Sequence, residues 1–133
     1  MAPSALQSRY LSNTVETVSP ARLVTMLYDA LVRDLSMAET AIDGRRVEET
    51  NDRLVHAQAI LFELRASLKL DGWAGAAGLA QLYTFLLSEL LTANVRKDRS
   101  IVASCRVLVE PLQQAWHDAA ARIGGVTSVP APA

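Results

Sequence analysis

A chain of 133 residues with 50% apolar side chains is long enough for one domain with one core, and its formal charge of −1 leaves no basic surplus for phosphates. Nucleic-acid binding therefore has no electrostatic support. Cys105 is the single cysteine, so no intrachain disulfide can form, which fits a reducing, cytoplasmic setting. Only 5% of the residues are aromatic, and Ala, Leu, Arg, Glu and Gln dominate, a composition that favours helix over sheet.

Residues 1–18 form a Ser/Thr-rich lead with isolated apolar residues Leu6, Tyr10, Leu11, Val15 and Val18. The lead has no basic stretch followed by an apolar run, so no secretory signal is expected in it. It reads as a strap or short helix with little stability of its own.

Ser19-Pro20 marks a helix start, with Ser19 as cap and Pro20 at a position whose N–H is not needed. Arg22 stands where an acid would complete a capping box. Val24, Leu27, Leu31, Leu35, Ala38 and Ile42 recur at helical spacing, and Gly44 is expected to end this helix in the left-handed conformation.

A second helix is expected from about Arg46, carrying Val47, Leu54, Ala57, Leu61, Leu64 and Leu68. Asp71-Gly72 is a turn signal. The third helix carries Leu79, Leu82, Tyr83, Leu86, Leu90 and Ala93. Its apolar run is interrupted by Gln81, Ser88 and Glu89, so it reads as a buried helix and not a membrane span.

Asn94 to Asp98 reads as a reversal, with Asp98 capping a fourth helix striped by Ile101, Cys105, Leu108, Leu112, Ala115, Ala119 and Ile123. Pro111 inside that stripe removes one backbone donor and should kink the helix, at about 3 kcal/mol if uncompensated. Gly124-Gly125 should end it. Four helices with short connections predict an all-α, antiparallel up-down four-helix bundle. The expected organisation is a strap over 1–18, the bundle over 19–124, and a disordered tail over 125–133.

Each helix carries more apolar residues than one stripe needs. The second adds Val55, Ala59, Phe62 and Ala66; the third adds Ala80, Leu87 and Leu91. The first adds Leu23, Met26, Ala30, Met37 and Ala41, and the fourth adds Val102, Val109 and Ala120. Wider core packing would account for any one helix. A surplus on all four favours a groove for partner helices, with Val55, Ala59, Phe62, Leu87 and Leu91 as its candidate anchors. The same surface would serve a homodimer or another helical partner.

Catalytic chemistry has little support. His56 falls opposite the core stripe and His117 among polar residues, so both read as solvated surface groups. Neither is followed by a histidine or carboxylate at i+3 or i+4 in a metal-binding pattern, and Cys105 falls on the core stripe. No catalytic residue, metal ligand or cofactor site is expected, and the chain is expected not to be an enzyme.

Several strings, taken in order, carry a family resemblance. Tyr10-Leu11-Ser12-Asn13-Thr14-Val15, then Thr17-Val18-Ser19-Pro20, leads into Leu23-Val24-Thr25-Met26-Leu27-Tyr28-Asp29. Ala57-Gln58-Ala59-Ile60-Leu61-Phe62-Glu63-Leu64, Leu82-Tyr83 with Ala93-Asn94-Val95-Arg96-Lys97-Asp98, and Ala115-Trp116-His117-Asp118-Ala119 follow. The ordered set resembles the flagellar secretion chaperone FliS family across residues 10 to 120. Arg22, Pro111 and the Gly/Ala-rich 74–78 depart from the pattern.

The resemblance implies a cytoplasmic export chaperone. Its partner would be the C-terminal segment of flagellin, held against premature polymerisation and kept competent for flagellar type III secretion. Further flagellar export components would be additional partners, with no nucleic acid and no membrane insertion. The resemblance also implies that the N-terminal segment lies over the binding surface, which adds Tyr10 and Val15 to the candidate flagellin-binding residues.

Overall fold

The computed structural model describes residues 19–69 and 73–128, with side chains through Ile123. The strap with Tyr10 and Val15, the Asp71-Gly72 turn and residues 129–133 lie outside the described residues. Among the described residues there are four helices and no strand: α1 (Pro20–Asp43), α2 (Val47–Ala66), α3 (Ala76–Arg96) and α4 (Arg99–Ser128).

The helix starts follow from local chemistry. Ser19 accepts a hydrogen bond from the Arg22 amide at 3.1 Å, and Pro20 opens α1. Asp98 accepts from the Ser100 amide at 2.9 Å at the start of α4. The Ser100 hydroxyl, with that amide bond in support, holds the Asp98 carboxyl below its ordinary range. Between α3 and α4, Lys97 takes the left-handed conformation, so the reversal is completed in two residues.

The α1–α2 turn corrects the expectation for Gly44. Gly44 has φ −83°, and the left-handed residue is Arg45, with φ 58°. The reversal comes one residue later than the glycine suggested. The other end of the bundle holds a second correction: α4 continues through Gly124 and Gly125 to Ser128. Pro111 is also accommodated inside this one continuous helix. It lies on an exposed side of α4, where its ring meets solvent and not a neighbouring helix.

The helices form a ring in which α1 packs closely on α2 and α4, while α3 closes it with sparser contacts to the same two helices. Leu31, Leu35, Ala38, Leu54, Ala57, Ile60, Leu90 and Ala93 are fully buried at its centre. Two tyrosines bridge the core, with Tyr28 Oη and Tyr83 Oη 2.5 Å apart. Burial pushes both hydroxyls above the ordinary tyrosine range; for Tyr28 the hydrogen-bonding side chains of Tyr83 and Trp116 pull partly the other way. The Tyr28 and Trp116 rings stand 6.3 Å apart.

α1 also carries two buried acids, and its neighbours supply the bases. Asp34 meets Arg53 and His56 of α2. Glu39 meets Arg106 at 2.5 Å and Arg99 at 3.6 Å from α4. These contacts hold the Arg106 guanidinium above its ordinary pKa. His117 reaches Asp29 at 2.7 Å, and Arg99 reaches Asp43 at 2.9 Å. Partner numbers rise on one helix as they fall on the other, as an antiparallel α1–α4 pair requires. Both histidines are thus bound to aspartates and are not the freely solvated groups expected from the wheel.

The core stripe of α4 needs correction. Val102 and Val109 are buried with Cys105, although they were expected on the outer stripe. Leu108 was expected inside and is 44% exposed. The stripe rotates because α4 faces α1 closely as well as α3. On α1, Ala30 and Ala41 of the surplus are core residues, and on α2 Val47 of the expected core stripe is exposed at the helix start.

Candidate functional site

Two side-chain contacts mark the edges along which α2 and α3 face each other. Asn94 of α3 donates to Asn51 of α2 at 2.8 Å, and Arg65 of α2 donates to Thr84 of α3 at 3.2 Å. Helical spacing then locates the apolar surplus. Val55, Ala59 and Phe62 follow Asn51 at i+4, i+8 and i+11, on the same side of α2. Leu87 and Leu91 follow Thr84 at i+3 and i+7, on the matching side of α3. The two rows flank one seam from opposite walls.

Exposure separates the rows from the core. Val55 is 51% exposed, Phe62 52% and Leu91 59%. Ala59 and Leu87 are half-buried, and Leu87 also packs on the core from above. The structure thus brings together all five of these candidates. Arg65 lies over the Phe62 ring, 5.1 Å from its centroid, so the ring is held against its own helix and keeps its other face open.

α3 leaves a second seam toward α4, which the sequence reading did not single out. Phe85 of α3 and Leu108 of α4 are large apolar residues exposed there. At its end lies a cavity of about 450 Å³, lined by Leu79, Leu112, Ala115, Trp116 and Ala119 and roofed by Trp73. Gly75 permits that roof: a Cβ there would lie 1.9 Å from the Trp73 ring. The signal for this seam was one of helical angle, since Phe85 stands about 100° from Leu86 on the side away from Leu87.

α3 is consequently covered along one side only. It is the one helix among the described residues long and apolar enough to cross a membrane by length and composition, with mean hydropathy 1.2. Only 28% of that apolar window is buried, so the expectation of a buried helix holds for one side alone. Tyr83, Leu86, Leu90 and Ala93 anchor that side between α2 and α4.

The titratable groups show how little this surface resembles a reactive centre. Burial, with the Glu89 charge adding to it, pushes the Cys105 thiol up to about 12, far from a nucleophilic thiolate at neutral pH. Among the described residues no group of three His, Cys, Asp or Glu side chains could hold a metal ion. What the geometry offers is apolar area at helical spacing on either side of one helix, which suits the capture of helical segments.

A four-helix bundle with open apolar seams is a class of helical protein defined by its surface. The sequence comparisons narrow it: residues 2–123 match the family described as Flagellar protein FliS, and the chain belongs to that family. It is 29% identical over 110 residues to the flagellar secretion chaperone FliS of Bacillus subtilis, covering 83% of this chain and 82% of the relative. The protein of that name from Vibrio cholerae is 25% identical over 107 residues, covering 80% and 79%. That of Salmonella typhimurium is 28% identical over 108 residues, covering 80% of each.

Proposed function

We propose that this protein is a cytoplasmic, non-catalytic export chaperone that binds the C-terminal segment of flagellin. It prevents that segment from polymerising early and keeps it competent for flagellar type III secretion. The observation that carries the reading is the α2–α3 seam, where Val55, Phe62 and Leu91 stand about half exposed at helical spacing on facing walls. Membership of a family whose relatives are named flagellar secretion chaperones supports the same reading.

The physical logic is coupled folding. A disordered segment that becomes amphipathic helix on this surface covers the seam, and the apolar area removed from water offsets its ordering entropy. Because that offset is partial, the complex stays dissociable at an export gate. Residues 1–18 act as a strap over the surface of the bundle, with Tyr10 and Val15 as its contacts.

Calorimetric titration with a flagellin C-terminal peptide tests the reading. A one-to-one complex is expected, tightened when residues 1–18 are removed. Absence of binding by both the full and the shortened chain would sink it. A stable homodimer that buries Leu91 and excludes the peptide would instead assign the surface to self-association.

A further inference from the structure

The α2 wall of the groove carries charge that nothing in the bundle uses. Asp52, Val55, Ala59 and Glu63 follow i, i+3, i+7 and i+11 spacing, so both carboxylates border the apolar row. Every acid of α1 has a side-chain partner: Asp29 has His117 and Gln113, Asp34 has Arg53 and His56, Glu39 has Arg106, and Asp43 has Arg99. Asp52 and Glu63 have neither a hydrogen-bond donor nor a cation among the described residues. Glu48 extends the same row, but it sits in the first turn of α2, where the helix dipole already favours an acid. Asp52 and Glu63 lie beyond that turn, so the dipole does not account for them.

The opposite wall differs. The charged residues of α3 are Glu89 and Arg96, and Glu89 is turned to α4, where its charge acts on Cys105. Arg65, the cation at the seam, is engaged with the Phe62 ring and Thr84. The groove is therefore apolar at its floor, bordered along α2 by the carboxylates of Asp52 and Glu63 with Arg65 drawn in over Phe62, and uncharged along α3.

We infer that this groove selects an amphipathic helix bordered on one side by Lys or Arg, docked with that basic border along α2 beside Asp52 and Glu63. The inference rests on the reading that the groove holds a partner helix, and adds the chemistry and orientation of the occupant. Docking removes water from both carboxylates. A basic border returns the lost interaction, whereas a neutral or acidic one leaves them desolvated without compensation. The asymmetry also fixes which way the helix rolls, because a basic border over α3 meets no charge.

The test uses the full chain and its D52N/E63Q variant, which should melt at the same temperature. Two designed helical peptides share one apolar face; one is bordered by Lys and the other by Glu. Calorimetry at low and at physiological salt should show the Lys-bordered helix binding about tenfold tighter at low salt, with the preference narrowing as salt rises. The variant should lose most of that preference. Equal affinities, a preference that survives in D52N/E63Q, or no binding of either helix would overturn the inference. A flagellin C-terminal peptide run in parallel separates the two readings. If that peptide fails while the Lys-bordered helix is preferred, the flagellin assignment falls and the acidic wall stands. If it binds with an affinity indifferent to both salt and D52N/E63Q, the acidic wall falls and the flagellin assignment stands.

Discussion

α1 and α3 occupy opposite positions in the same ring and solve opposite problems. α1 is clasped by α2 and α4, buries Leu27, Tyr28, Leu31, Leu35 and Ala38, and ties Asp34 and Glu39 to bases on its neighbours. α3 touches the same two helices more sparsely and leaves Phe85, Leu91 and Val95 about half or more exposed. Stability and binding are thus assigned to different helices. A buried acid with its partner fixes register, since a slip by one turn would strand the charge. An apolar residue without a neighbour keeps its burial energy in reserve for whatever docks on it.

The sharpest way to break that contrast is a matched pair of truncations. Leu35→Ala should cost about 3 kcal/mol in chemical denaturation, because it opens a cavity at the centre of the core. Leu91→Ala, at 59% exposure, should cost less than about 1 kcal/mol. Similar losses at both sites would mean that α3 is core and not surface.

The complementary experiment reads binding. Leu91→Asp should weaken the flagellin C-terminal peptide by about thirtyfold while moving the melting temperature little, since the charge stays in water until the peptide covers it. Retained affinity would remove the α2–α3 seam from the site.

A smaller effect is expected from the α1–α4 clasp. Arg106→Ala leaves Glu39, whose side chain is 5% exposed, with only Arg99 at 3.6 Å. A loss of about 2 kcal/mol should follow in denaturant unfolding, with peptide affinity unchanged. A drop in affinity of the same size would show that the clasp and the seam are coupled.

The least effect concerns pH. The folded Cys105 thiol is raised from 9.0 to about 12, so the unfolded chain releases this proton first. The thiol's contribution is therefore complete below pH 9 and is lost as pH rises toward about 12. Thermal melting of the wild type should fall over that window more steeply than that of Cys105→Ala. Parallel curves would show that the thiol is not held in the core.

The sequence alone determined the four described helices, the Ser19 and Asp98 caps and the Leu/Ala stripes of α1, α2 and α3, because caps and 3.6-residue periodicity are local properties of the chain. It also singled out Val55, Ala59, Phe62, Leu87 and Leu91 as surplus. Whether surplus meant surface was decided by tertiary packing, since a wheel shows that a residue leaves one stripe but not which neighbour waits beside it. Ala30, Val102 and Val109 looked equally superfluous and proved to be core, because α1 packs closely on both α2 and α4. Position in the ring likewise decided the fates of Leu108 and Phe85. The pairing of Asp34 with His56, and of Glu39 with Arg106, joins residues 22 and 67 positions apart, beyond any local pattern. Periodicity fixed which residues could face a partner; only the arrangement of α2, α3 and α4 settled which ones are left facing solvent.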